Sequence, residues 1–370
     1  MDGPKVCFVV NAVGETSVPA DIARGLVDNT DVEVDVLAWF AAEPFAGSDS
    51  IDVTSLDAPD TTVGVDWNTV RRARHFMRQY DLVQAHHNHS GAFAKIIARS
   101  LGIPSVSREG NMRMGFNRLG RVANGLTNPL ADRVVCNSRA VYDSFQWWED
   151  ALLPADKVAF IPNGVDFDRL AAGRDLNWSI FGDAKASPDS VVVGTAGMLT
   201  EQKDHETLVR ALELARERSD RRIELVLAGD GPLESELRQL VTDLNLDESV
   251  HFLGYLDRKR VYKMLSEIDV YAMPSLWEGF SAAAVEALAS ENVAIFTNIP
   301  PFTDPYGDVA RFHPTGDQEV LADHLVELAA DPVERDRLAA SGRRLVEENY
   351  AIESVATAYR DLYEDVLANA

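Results

Sequence analysis

The sequence predicts an α/β protein of two Rossmann-like, doubly wound domains facing a central cleft, and three observations predict it. Short apolar runs of strand length alternate with stretches of helical period along the chain, and alternating β and α units imply parallel sheets with helices on both faces. The alternation breaks at 163–190, where NGVDFDRLAAGRDLNWSIFGDAKASPDS carries turn signals and no clean period. A length of 370 residues suits two domains with full cores.

In the first domain, 5–11 reads as a strand, 20–28 as a helix and 32–39 as a strand. Residues 82–86, 91–101 and 103–107 give strand, helix and strand, and 133–136 and 158–161 give two more strands. The second series opens with VVVGTAG as a strand and 206–218 as a helix behind Asp204, whose carboxylate suits an N-cap. IELVLAGDG, a helix from Leu233, VHFLGYL and a helix from Arg260 repeat the unit. DVYAMP and VAIFTN are further strands, separated by PSLWEGFSAAAVEALAS. There Ser281 is placed to cap an alanine-rich helix with Val285 and Leu288 on one buried face. Glu278 then lies in a loop and Glu286 on the following helix, at the carboxyl edge of a sheet where ligands bind. Helices at 319–330, 333–349 and 354–367 close the chain. The boundaries drawn are a first domain at 1–165, a linker at 166–190, a second domain at 191–348, and a last helix at 349–370.

Composition narrows the function classes. The formal net charge is −24, with lysine scarce beside arginine, so a nucleic-acid backbone would be repelled. So acidic a surface suits a salty cytoplasm, since molar salt confines repulsion to about 3 Å. Cys7 and Cys136 each sit in an apolar strand-like run and read as core residues of a protein in a reducing, cytoplasmic compartment. No apolar run approaches the roughly 20 residues of a membrane span, and MDGPKVCFVVN enters a strand without a signal-peptide layout.

The chemistry concentrates in loops. There is no Walker A or G-x-G-x-x-G motif. Instead, loops at strand ends recur: AVGETS with Gly14, GMLTEQKDH with Lys203 before a helix, AGDGP, and the stretch with both glutamates. A lysine beside a helix N-terminus makes an anion site. His86, His87 and His89 cluster as HHNH, but without a carboxylate or cysteine companion they predict no metal site. REGNMRMGFNRLGR, with Arg108 and Arg113, interleaves cations with Met112, Met114 and Phe116. It reads as a surface for a phosphate-bearing acceptor or an anionic membrane. A second basic island, RRARHFMR, reads as an ordinary helix face.

PSLWEGFSAAAVEALAS resembles the Glu-x7-Glu signature of the retaining glycosyltransferases of family 4, which have the GT-B fold. FIPNGVDFDRL, VGTAGMLTEQKDHETLVRAL, LVLAGDGPLESEL and VHFLGY resemble further stretches of that family in the same order, and LVEENYAIESVATAYRDLYEDVL resembles its closing helices, which implies that the last helix, 349–370, crosses back to the first domain. The resemblance implies a metal-independent hexosyl transfer without a cofactor. The donor would be a nucleotide sugar, UDP- or GDP-linked, and the acceptor a glycan, a lipid carrier or a small molecule. It implies that Glu286 binds ribose hydroxyls, that Glu278 approaches the donor sugar, and that Lys203 and the amides around Phe280, Ser281, Ala282 and Ala283 hold the diphosphate. Gly14, Gly197, Met198 and Gly279 complete the implied donor set; Glu278 and Lys203 are its catalytic pair. His86, His87, Arg108 and Arg113 are the acceptor-side candidates; apart from the resemblance, the cysteine usage and the basic stretch give a cytoplasmic setting with peripheral contact at the inner membrane face. The chain departs from the family pattern at Met198, where an arginine is usual, at Gly110, where a histidine is frequent, and at Val13-Gly14, where two glycines are usual. A non-catalytic protein on the same fold is the alternative these departures leave, with a sugar-nucleotide epimerase behind it.

Overall fold

The structure, a computed structural model, describes residues 3–14, 17–43, 50–59, 66–86, 89–183, 187 and 189–370. The chain forms two compact units: Met1–Gly164 together with Ile352–Ala370, and Val165–Ala351.

The sheet of the first unit contains Lys5–Val13 (β1), Glu33–Ala42 (β2), Val53–Ser55 (β3), Leu82–His86 (β4), Ser105–Glu109 (β5), Arg133–Cys136 (β6) and Val158–Phe160 (β7), in the order β3-β2-β1-β4-β5-β6-β7. Every pairing is parallel. Side chains alternate across a strand, and β1 uses both faces. Val6, Phe8 and Val10 pack with Ile22 and Leu26 of helix Val18–Asn29 and with Tyr359 and Tyr363 of the last helix, Ile352–Ala368. Cys7 and Val9 pack on the opposite face with Met77 and Ile97, on helices Trp67–Met77 and His89–Leu101.

The second unit holds Val191–Ala196 (β8), Ile223–Ala228 (β9), Val250–Gly254 (β10), Val270–Met273 (β11), Val293–Thr297 (β12) and Ala310–His313 (β13) in the order β10-β9-β8-β11-β12-β13, again all parallel. The chain runs outward from β8 to β10, then returns to lay β11 on the other side of β8. That reversal is a topological switch point, the place where open α/β sheets bind ligands.

The segment 166–190, read above as a linker, includes the helices Phe167–Arg174 and Ile180–Asp183, and Leu170 and Ile180 are buried in the core of the second unit. Its period was hidden because both helices are short and bury few side chains. β3, β13 and the helix Arg118–Thr127 were not foreseen either: the strands are three and four residues long, and the helix lies in the stretch read as a basic surface.

Candidate active site

Three loops leave the carboxyl edge of the second sheet and bond to one another. Those after β8 and β9 are joined by Leu199 N–H to the Asp230 carbonyl at 2.8 Å and by Leu233 N–H to the Leu199 carbonyl at 3.1 Å. The loop after β11 joins them through Leu276 N–H on the Gln202 carbonyl at 2.8 Å, and the Gln202 side chain donates to the Trp277 carbonyl at 2.9 Å. Gly229 has φ 143°, and a Cβ there would lie 1.9 Å from the Gly197 carbonyl oxygen. Only glycine permits that approach.

This interlock aims Lys203. It ends a single 3-10 turn, and Asp204 then takes a left-handed conformation (φ 48°) and caps helix His205–Arg218, its carboxylate accepting from the Thr207 hydroxyl at 2.7 Å. Lys203 Nζ lies 2.5 Å from Glu278 Oε1, with both side chains largely withdrawn from water. Burial, reinforced by the Lys203 ammonium, pushes the neighbouring His205 down to about 4. It is therefore neutral near pH 7, and Lys203 supplies the positive charge at this turn.

Ser281 caps helix Ala282–Ala289, its hydroxyl accepting from Ala284 N–H at 3.2 Å. The N–H groups ahead of Ala284 have no partner within the helix by its geometry. Glu286, one turn in, is buried, and its Oε1 receives Arg258 Nη2 at 2.6 Å and the Tyr262 hydroxyl at 3.2 Å. Arg258 Nε also donates to that hydroxyl at 2.7 Å. Sequence reasoning missed Arg258 and Tyr262. One signal was available: Arg258 is the first residue of helix Arg258–Leu265, an end where the helix dipole disfavours a cation, so another group had to justify it.

The remaining candidates fall in different places. The Lys203 stem passes 3.4 Å from where a Gly197 Cβ would stand, and Met198 beside it is 61% exposed. Gly279 lies between Glu278 and Phe280, whose ring packs on Tyr350 with centroids 6.0 Å apart; Ala282 opens the capped helix. Gly14 follows β1 in the first unit, its carbonyl accepting from Ser17 N–H at 3.0 Å. His86 does not present itself at a surface. It ends β4 in the interior, packed on Phe8 with ring centroids 4.8 Å apart and bonded to Gln84 at 3.1 Å. His87 lies outside the described residues. Arg108 is buried with its guanidinium on Asn163, and Arg113, 1% exposed, is paired with Glu109 at 2.7 Å and Glu149 at 2.9 Å. Neither arginine is an acceptor-side surface cation, because a guanidinium drawn into the interior needs buried partners. Among the described residues, no group of three or more His, Cys, Asp or Glu gathers to hold a metal.

Comparison with known proteins gives this arrangement a context. A family model described as "Glycosyl transferases group 1" matches residues 177–345, and one described as "Glycosyltransferase Family 4" matches 14–169. The chain is similar to the MMP alpha-(1->4)-mannosyltransferase of Mycolicibacterium hassiacum, at 32% identity over 59% of this chain and 51% of that protein. It is also similar to an Escherichia coli UDP-Gal:alpha-D-GlcNAc-diphosphoundecaprenol alpha-1,3-galactosyltransferase, at 27% identity over 60% of this chain and 58% of that protein. The chain thus spans between half and three fifths of the length of these relatives. The crystal structure of Anabaena HepE in complex with UDP superposes with a TM-score of 0.80 at 17% identity, covering 98% of this chain and 100% of that one, and shows the same two-domain fold.

Proposed function

The chain belongs to the group 1 glycosyltransferases and has their GT-B fold, and from that premise we propose that it moves a hexosyl group from a nucleoside-diphosphate sugar to an acceptor with retention of anomeric configuration. The observation that carries the reading is the interlocked edge of the second sheet, where Lys203 is held on Glu278 and Glu286 on Arg258 and Tyr262 at the switch point.

Each group has a task in that reaction. As the glycosidic bond breaks, negative charge grows on the leaving diphosphate. The Lys203 ammonium and the first amides of helix Ala282–Ala289 are fixed donors that stabilise this charge without reorganising. Glu278, held at Lys203, takes sugar hydroxyls, and carboxylate bonds to hydroxyl pairs are charge-assisted. Glu286, fixed through Oε1, takes the ribose hydroxyls. The acceptor attacks the face the diphosphate leaves, and the leaving phosphate receives the acceptor's proton, so the scheme calls for neither a protein base nor a metal. A UDP- or GDP-sugar donor is consistent with the fold neighbour that binds UDP. A lipid-linked acceptor is consistent with the diphosphoundecaprenol named for one relative. The buried free thiols Cys7 and Cys136 are compatible with the cytoplasm, and no helix among the described residues is long and apolar enough to cross a membrane.

Steady-state kinetics on conservative variants test the assignment. Glu286→Gln is expected to raise donor KM with little change in kcat, because the ribose does not change during the reaction. Glu278→Gln is expected to lower kcat more than it raises KM. The reverse pattern means the two carboxylates are exchanged. Parental kinetics in both variants would remove the two carboxylates from the reaction, whereas no turnover by the parent with any nucleotide sugar would favour a non-catalytic protein on this fold, the competing reading that Met198, exposed where the family pattern has an arginine, supports.

A further inference from the structure

Helix Arg118–Thr127 is inside out. Its inward residues are Asn124, Gly125 and Thr127, all buried, whereas Leu119 is 72%, Val122 47% and Leu126 56% exposed. Those three positions, spaced i, i+3 and i+7, form one stripe along a helix. Met114, in the turn just before, is 57% exposed. A helix of a soluble protein normally turns such a stripe to the core, so its outward placement calls for a cause on the inner side.

The cause is a buried polar network. Lys95 Nζ donates to Asn124 Oδ1 at 2.8 Å, to Asn128 Oδ1 at 2.6 Å and to Ser107 Oγ at 3.2 Å. Asn124 Nδ2 reaches both Glu109 oxygens at 2.7 and 2.9 Å, and Asn128 Nδ2 reaches Oε1 at 3.0 Å. Arg113 links Glu109 to Glu149. Buried charges demand such partners, and Asn124 can supply them only if its face of the helix points inward. A Cβ at Gly125 would lie 2.4 Å from the Trp148 ring, so the approach to helix Trp147–Leu152 also fixes this orientation. The apolar stripe is left outside by construction.

The charge around the stripe selects its occupant. Between Glu109 and Asp132 the chain has no acidic residue, in a protein of formal net charge −24. Arg118 is exposed and Arg121 half-exposed on the same helix, and Arg99 is exposed on the helix packed against it. Apolar residues set among cations match the interface of an anionic bilayer, where the apolar face sinks into the headgroup boundary. A Debye length of about 8–10 Å at ordinary salt screens the carboxylates elsewhere on the protein, while cations at the surface keep their attraction. We propose that Met114 and the Leu119–Val122–Leu126 face of this helix dock the protein on an anionic lipid surface, flanked by Arg118 and Arg121. This surface is independent of the transfer chemistry proposed above.

The test is co-sedimentation of the full chain with phosphatidylcholine vesicles, with and without phosphatidylglycerol, at moderate salt. The parent is expected to bind, more tightly to the anionic vesicles. The Leu119→Ser/Val122→Ser/Leu126→Ser variant should bind at least about tenfold more weakly, since each buried aliphatic side chain contributes enough for roughly a decade of affinity. Arg118→Ala/Arg121→Ala should lose the anionic preference and keep the weaker binding. Leu119, Val122 and Leu126 are exposed, so the triple variant's melting temperature should stay at the parental value, and Leu119→Ser alone gives a second reading with minimal disturbance. Three outcomes overturn the proposal: no vesicle binding by the parent, parental binding by the triple variant, or a parent dimer that the triple variant breaks while vesicles are ignored. The last assigns the face to a second copy. None of these readouts depends on turnover.

Discussion

Replacing Arg258 by methionine keeps much of the side-chain bulk and removes the cation on Glu286. The two side chains are 14% and 12% exposed, between the surface pairs that contribute about 0–1 kcal/mol and the buried pairs whose breakage costs about 3–5 kcal/mol. About 2 kcal/mol is the expected cost, because Glu286 loses its cation but keeps the Tyr262 hydroxyl at 3.2 Å on that oxygen. For a unit the size of Val165–Ala351 this lowers the melting temperature by roughly 4–8 °C. A double-mutant cycle with Glu286→Gln isolates the pair and should return a coupling of at least about 1 kcal/mol. If Arg258 also orients Glu286 for a nucleotide, calorimetric titration with UDP or GDP should show roughly tenfold weaker binding in Arg258→Met. A coupling under about 0.5 kcal/mol, together with parental nucleotide affinity, would refute the claim that Arg258 positions this carboxylate.

Lys203→Ala should cost on the order of 10²-fold in turnover; a variant within a few-fold of the parent would remove Lys203 from the leaving-group site. Stability should fall at acid pH through Glu109. Burial raises this carboxyl, but Arg113, Lys95 and the hydrogen bonds outweigh burial and hold it at about 2, so its contribution is complete above about pH 4.5 and is lost as pH falls toward 2. Melting curves of the parent and Glu109→Gln should therefore converge over that window, and parallel curves would refute the assignment. Lys95, pushed down to about 8 mainly by burial, carries a penalty that is full below about pH 8 and is relieved as pH rises toward 10.5; Lys95→Met strands the Asn124 and Asn128 oxygens and should destabilise, by less at neutral pH than near pH 10.5. Raising KCl to molar concentrations should raise the melting temperature by screening the net charge of −24; a flat or falling series counts against adaptation to salt.

Two kinds of information separate in this molecule. Period and caps were legible in the chain itself because they are local. The alternation of runs such as VVVGTA and IELVLA with helical stretches forced parallel sheets, and Asp204 and Ser281 stood where helices begin. Glu278, Glu286 and Lys203 were legible for the same reason: each follows a strand, and a strand's carboxyl end is where an α/β sheet exposes its loops. Partners distant in sequence were not legible. Nothing in LDRKRVYKML says that Arg258 will meet Glu286, 28 residues away, since that contact exists only once neighbouring loops converge on one sheet edge. The basic stretch around Arg108 and Arg113 looked like a surface because charge in a sequence carries no depth. Glu149, 36 residues from Arg113, drew that guanidinium inside, and the network on Asn124 turned the following helix so that its leucines became exposed beside Arg118. Burial is a property of the assembled chain, because pairing a charge away from water takes partners that only the fold can bring together.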